Sequence, residues 1–204
     1  MLKSISRHVT LAALVAAALA ACDNGEPGGE QAGEPSGSPA TADMLTGTLD
    51  RTFAGNALPG ARVTDPSGTT LVLDELRGKP VLLNMWATWC APCVVEMPLL
   101  NDLAGEMGER LKVVTVSVDL DGAQAVGPFF DSRGFDSLPR WFDGENELAT
   151  AFGGGAVLPL TVLYDAEGEE VWRVLGAYDW ESGEARDALR EATAGEGFDQ
   201  APPN

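Results

Sequence analysis

Histidine is nearly missing from this chain: there is one in 204 residues, His8, and it lies within the first ten. Cysteine occurs three times and tyrosine twice, and 13 basic residues face 31 acidic ones, for a formal charge of −18. Each scarcity excludes something. Beyond residue 8 no Ser-His-Asp or Cys-His catalytic group and no histidine metal site can be assembled. The negative balance repels phosphate backbones and anionic head groups, so no nucleic-acid partner is expected. What is present in quantity is apolar: 45% of the residues are hydrophobic, enough for one packed core. The length fits a single domain with extensions better than two domains.

The start of the chain, MLKSISRHVTLAALVAAALAAC, has a short basic segment (Lys3, Arg7) followed by an apolar run from Val9 to Ala21. That run is short for a membrane span, and small residues close it, as in an export signal. Leu19-Ala20-Ala21-Cys22 resembles the bacterial lipobox, which implies a signal peptide over residues 1–21 and lipidation of Cys22. The alternative is a plain signal peptide cleaved near Ala20. Asp23 resembles the signal that retains lipoproteins in the inner membrane of many Gram-negative bacteria, which implies a lipid anchor on the periplasmic or extracytoplasmic side. Removal of Lys3 and Arg7 from the 13 basic residues leaves 11 against 31 acidic, a formal charge of −20, and His8 leaves with them.

Residues 23 to about 45 are rich in Gly, Pro, Ser and Glu and have little to bury, so residues 22–50 are expected to be a disordered tether. The last residues, 196–204, are expected to be a flexible tail, which places the folded domain at 51–195. Within it, the stretch VTDPSGTTLVLDEL predicts an edge hairpin turning on Pro66-Ser67-Gly68. PVLLNMW is a continuous apolar run of strand length, as a buried central strand requires, and LKVVTVSVD is expected to be a second buried strand. A helix is expected from the cysteines to about Gly108, kinked at Pro98. AQAVGPFFDSRG predicts a helix interrupted by Gly127-Pro128, and ENELATAF a short one. LTVLYD and EEVWRVLGAY form a hairpin across Asp165–Gly168, and ESGEARDALREATA is an amphipathic closing helix. This order gives a three-layer α/β/α domain with a mixed central sheet.

Cys90 and Cys93 stand two residues apart in NMWATWCAPCVVEMP. A structural zinc site needs four ligands, and this pair supplies two with no histidine to complete them. A structural disulfide closing so small a loop stabilises little through chain entropy. A redox pair has more support. Cys90 sits where a buried strand gives way to a helix, so unsatisfied N–H groups and the positive helix end would favour its thiolate. Cys93, one turn later, can resolve a mixed disulfide, and Pro92 fits the first helical turn. Trp86 and Trp89 add apolar cover. A non-enzymatic Cu(I) site between two thiolates also remains open.

NMWATWCAPC resembles the active-site strand and helix start of the thioredoxin superfamily, and the continuation VVEMPLL is similar to the TlpA/ResA-type thiol-disulfide oxidoreductases. The resemblance covers about residues 58–193. It implies a thioredoxin-like fold with an N-terminal hairpin and a helix-strand insertion, here Gly122 to Phe142. It also implies Cys90 as attacking and Cys93 as resolving thiol. Glu96 matches a glutamate that tunes proton transfer beside the cysteines; otherwise it would be a solvated helix residue. Asn84 stands where thioredoxins keep a buried aspartate. Pro159 matches the loop with a cis proline, which would leave Leu158 to pair with a substrate strand beside Trp89 and Pro92. Leu160 and Val157 depart from the threonine and glycine frequent in relatives, which bears on substrate preference.

The same resemblance implies a reductase acting on disulfide-bearing extracytoplasmic proteins, typically in cytochrome c maturation or in assembly of the copper site of cytochrome oxidase. Its electrons would come from a membrane thiol-disulfide donor. No nucleotide, flavin or metal cofactor is expected beyond the Cys90–Cys93 disulfide. An oxidase or isomerase using the same pair in the opposite direction is the competing reading. Peroxiredoxins share the fold but need a proline and a threonine where this chain has Leu83 and Ala87. Asp119–Gly122 lacks the later ligands of a calcium loop, and Gly153–Gly155 lacks the lysine and context of a phosphate cradle.

Overall fold

Alternate residues of the run Val81–Trp86 point into two different cores, although all six are buried. Leu82 and Trp86 belong to one hydrophobic cluster, and Val81, Leu83 and Met85 to the other. This period of two on both faces is what a central strand must have. The structure, a computed structural model, describes residues 43–155 and 157–193. The signal peptide expected at 1–21, Cys22, Asp23, most of the tether and the tail at 196–204 lie outside the described residues.

Eight strands form one mixed sheet: β1 (Thr48–Asp50), β2 (Arg62–Thr64), β3 (Thr70–Val72), β4 (Val81–Trp86), β5 (Lys112–Ser117), β6 (Trp141–Phe142), β7 (Leu160–Tyr164) and β8 (Glu170–Leu175). Their spatial order is β1-β8-β7-β4-β5-β6-β2-β3. β4 runs parallel to β5 and antiparallel to β7. Among the described residues four α-helices cover it: α1 (Ala91–Met107), α2 (Ala123–Arg133), α3 (Glu147–Ala151) and α4 (Gly183–Ala192). Met97 and Leu100 of α1, Phe130 of α2 and Leu189 of α4 fill the core on one face. Leu148 of α3, Leu58 and Leu73 fill the other. The result is the three-layer thioredoxin-like α/β arrangement, with α2 and β6 as the insertion and β2–β3 as the edge hairpin. Asp65 locks that hairpin's turn by accepting the N–H groups of Ser67 and Thr69 at 2.8 and 2.9 Å.

Two expectations need correction. The tether does not extend to residue 50, because Thr48–Asp50 pairs with Arg173–Leu175 as β1. Three residues suffice there because β8 would otherwise present an open edge, and Leu49 packs against the core. Nor is α2 interrupted at Gly127-Pro128; it runs unbroken from Ala123 to Arg133. Pro128 lies on the exposed side of the helix, so the carbonyl it leaves unpaired faces water, while Val126 and Phe130 anchor the opposite side. Pro98 is accommodated inside α1 in the same way.

Candidate active site

β4 ends at Trp86 and hands the chain through a short loop to Cys90, the N-cap of α1. Cys90 and Cys93 are joined in a disulfide. The Cys93 amide N–H also points at Cys90 Sγ, at 3.3 Å. Cys90 therefore occupies the position where helix-terminal N–H groups stabilise negative charge on sulfur. It is 6% exposed against 1% for Cys93; of the two, Cys90 is the sulfur closer to solvent. Trp89, its neighbour, is 70% exposed. Trp86 instead is buried against Phe129 and Phe130, with ring centroids 4.8 and 5.9 Å away. The two tryptophans expected to cover the pair thus divide, one to the core and one to the surface.

A carboxylate in the loop after β5, considered in the sequence only as part of a calcium loop, holds the turn before Cys90. Asp119, buried just past the end of β5, accepts the Thr88 amide at 2.8 Å and the Thr88 hydroxyl at 2.6 Å. It also accepts the hydroxyl of Ser117 at 2.6 Å. Asp119 therefore fixes the turn between β4 and Cys90. Pairing between β4 and β7 ends at Met85 and Leu160, which sets Leu158-Pro159 beside the end of β4. That peptide bond is cis. Pro159 is buried, Leu158 half-buried and Val157 exposed, and Pro92 is half-buried in the first turn of α1. Leu83 and Ala87, at the two peroxidase positions, are buried apolar residues.

Glu96 is not a solvated helix residue. It continues the buried stripe Cys93, Met97, Leu100, Leu103 of α1 and is 1% exposed. Its Oε1 accepts the Trp180 indole N–H at 2.7 Å and the Tyr178 amide at 3.2 Å. Asn84, on the face of β4 that also carries Leu82 and Trp86, brings Nδ2 within 3.5 Å of Oε2. No cation is among these partners. Burial pushes the Glu96 carboxyl up to about 8, and the bonds from Trp180, Tyr178 and Asn84 only partly oppose this. At neutral pH the site therefore holds a proton on a carboxylic acid one helical turn beyond Cys93.

The structure thus brings Cys90, Cys93, Glu96 and Asn84 together on one face of β4 and α1, with Trp89, Pro92, Leu158 and Pro159 at the same end of the sheet. Missing from the sequence reading were Trp180, Tyr178, Thr161 and Asp119. Only Asp119 had a local signal, its place immediately after a buried strand. Among the described residues no three His, Cys, Asp or Glu side chains converge on a metal position.

Comparison with known proteins agrees with this geometry. Residues 54–186 match the AhpC/TSA family. Thiol-disulfide oxidoreductase ResA of Bacillus thuringiensis (strain Al Hakam) is 35% identical over 123 residues, covering 60% of this chain and 69% of that protein. The crystal structure of a Chlorobium tepidum protein assigned as a thiol:disulfide interchange protein, DsbE, superposes with a TM-score of 0.60 at 22% identity, covering 72% of this chain and 99% of that one. The exposed lipoprotein thioredoxin of Streptococcus pneumoniae aligns with a TM-score of 0.52 at 25% identity, covering 66% and 97%.

Proposed function

The chain belongs to the AhpC/TSA family and is a thiol-disulfide oxidoreductase of the TlpA/ResA type, and we propose that it works as a membrane-tethered, extracytoplasmic reductase of protein disulfides. The observation that carries this reading is the buried Glu96 carboxyl one turn past Cys93, with no cation among its hydrogen-bond partners. A carboxylate there is a base for the buried resolving thiol, and its proton returns to solvent between turnovers.

In the proposed cycle the Cys90 thiolate attacks one sulfur of a substrate disulfide. The other substrate sulfur leaves as a thiolate and takes a proton from water. Glu96 first releases its proton to solvent, passing to the carboxylate that is its minority form at neutral pH. Cys93 then gives its proton to that carboxylate, and the resulting thiolate attacks Cys90 Sγ. The second substrate thiolate is released, and two electrons have passed from the dithiol to the substrate. Trp89, Pro92, Leu158 and Pro159 form the rim against which the substrate segment lies, a role supported by the exposure of Trp89 and the partial burial of Leu158. The disulfide is the only redox group in this scheme, so a membrane thiol-disulfide donor must restore two electrons, with Cys93 regaining one proton and Cys90 returning as thiolate. Anchoring through a lipidated Cys22 is supported by the lipobox and by the lipoprotein form of the pneumococcal relative. Substrates are disulfide-bearing extracytoplasmic proteins, with apocytochrome c or a copper-site protein of cytochrome oxidase assembly as the leading candidates.

Equilibration of the Cys90–Cys93 couple against a thiol buffer tests the direction. A potential near or below about −250 mV supports a reductase, whereas one near about −120 mV, the range of oxidising catalysts, overturns it. A Cys93→Ser variant should in addition accumulate a mixed disulfide with its substrate, which identifies the protein bound.

A further inference from the structure

Asn84 uses only half of its amide. Its Nδ2 donates to Thr161 Oγ1 at 2.8 Å and lies 3.5 Å from Glu96 Oε2. Its Oδ1 is fully buried and has no partner. A buried polar atom left without a bond is costly and calls for a reason. The reason lies across the gap, in the two forms of the neighbouring carboxyl.

The two oxygens of Glu96 are not equivalent. Two N–H donors, from Trp180 and Tyr178, converge on Oε1, which therefore cannot also carry a proton pointing at them. A proton on Glu96 must sit on Oε2 and needs an acceptor there. In the orientation described, Asn84 offers Oε2 a donor, which suits the carboxylate but not the acid. The missing acceptor is on the same side chain. A half-turn of the amide about its last torsion exchanges Nδ2 and Oδ1 at almost no steric cost, because the two ends have nearly the same size and shape. Thr161 tolerates the exchange, since a hydroxyl can accept from Nδ2 or donate to Oδ1. It is the register partner of Asn84 across β4 and β7 and is itself buried, so the sheet holds these two side chains side by side while α1 brings Glu96 to them.

We propose that Asn84 follows the proton on Glu96: its amide presents Nδ2 to the carboxylate and turns to present Oδ1 to the carboxylic acid, while the Thr161 hydroxyl reverses from acceptor to donor. Asn84 is thereby a positioning residue that gives both protonation states a matched partner. An aspartate in its place, charged, would offer the carboxylate no donor, and an apolar residue would serve neither state. The groups around Glu96 leave it as the one that changes charge. Its partners are Asn84 on β4, Tyr178 and Trp180 after β8 and, through Asn84, Thr161 on β7; Cys93 precedes it on α1. Among these only Cys93 and Tyr178 also titrate. Cys93 is held in the disulfide, and burial, with the nearby Glu184 and Asp179 carboxylates, pushes the Tyr178 hydroxyl up to about 12. The inference builds on the reading of Glu96 as a proton carrier, but the turning of the amide is independent of whether the enzyme reduces or oxidises.

The test is nuclear magnetic resonance of the oxidised full chain between pH 5 and 10. The 15N and 1H resonances of the Asn84 side-chain amide should move with a single midpoint, equal to that of the Glu96 carboxyl carbon, and should be flat in Glu96→Gln. An Asn84 amide that does not move while the Glu96 carbon titrates overturns the proposal, and this measurement needs no variant of Asn84. As a second arm, Thr161→Val should change the ionisation constant of Glu96 at least threefold, and Thr161→Ser should restore it. Equal effects of Val and Ser would also count against the proposal. An oxidising potential for the couple would overturn the reductase reading without touching this result, so the two failures are distinguishable.

Discussion

Replacing Glu96 by glutamine should make the folded protein more stable at alkaline pH, although it removes a group from the centre of the site. The Glu96 carboxyl is raised from 4.5 to about 8 in the folded chain, so folding holds a proton that the unfolded chain releases. A carboxyl raised in this way contributes stability that is complete below the unfolded value and is lost as pH rises towards the folded one. From pH 4.5 to about 8 the wild type should lose roughly 1.4 kcal/mol per pH unit, on the order of 5 kcal/mol in all. That is a large part of the 5–15 kcal/mol typical of a domain. The other shifted carboxyls do not mask the effect. Asp50, Asp65, Glu109 and Glu147 are lowered by hydrogen bonds, so their contributions are lost as pH falls, below this window. Tyr164 and Tyr178 are raised and act only near and above pH 10. Glutamine keeps the oxygen that accepts from Trp180 and Tyr178 and, with the Asn84 amide turned, offers an N–H to Asn84 Oδ1. Guanidinium unfolding of the oxidised protein, followed by circular dichroism at unit steps from pH 5 to 9, should give a falling wild-type curve and a flat Glu96→Gln curve that diverge upward in pH. Parallel curves, or a wild type that gains stability with pH, would refute the assignment of a raised carboxyl.

Asp119→Ala should lower kcat/KM for disulfide reduction at least tenfold and cost about 2–3 kcal/mol, since the part-buried amide and hydroxyl of Thr88 and the buried hydroxyl of Ser117 lose their acceptor; reduction assays and unfolding curves check this, and unchanged activity would free the Trp89–Cys90 loop from that clamp. Gly47→Ala should cost about 1–3 kcal/mol by overpacking, because a Cβ there would lie 2.6 Å from the Gly176 carbonyl and 2.8 Å from that of Ala177. Loss of slow hydrogen exchange in β1 with a preserved central sheet is the expected signature, and a neutral substitution would show that β1 can shift without cost.

The parts of the fold legible in the sequence were those whose burial is symmetric and local. Val81–Trp86 and Lys112–Ser117 are predominantly apolar because both faces are covered, with Asn84, Thr115 and Ser117 as buried polar exceptions, and a near-continuous apolar run is how that condition is written. The β7–β8 turn carried its own chemistry in Asp165–Gly168, where Asp165 accepts the Glu169 amide and Gly168 takes a positive φ of 80°. β1 could not be seen, because Thr-Leu-Asp has no pattern of its own and is a strand only because β8 has an edge to fill. Gly127-Pro128 misled for the converse reason. Helix-breaking chemistry is strong locally, but a proline on the solvent side of a helix anchored by Val126 and Phe130 forfeits one bond that water replaces.

The site divides along the same line, and the division has a consequence for how its chemistry is set. Cys90, Cys93, Pro92 and Glu96 lie within seven residues, so their mutual placement follows from the first two turns of one helix and could be anticipated. What decides the properties of Glu96 is remote: Trp180 and Tyr178 approach from more than 80 residues away, and Thr161 acts through the β4–β7 register. A solvated glutamate at that position would be ionised at neutral pH, outside the range useful to a thiol. The long-range packing supplies the burial that raises it, and the N–H donors limit the rise enough for the carboxylate to remain accessible. The sequence motif therefore specifies which atoms can exchange a proton, and the tertiary contacts specify at what pH they do so.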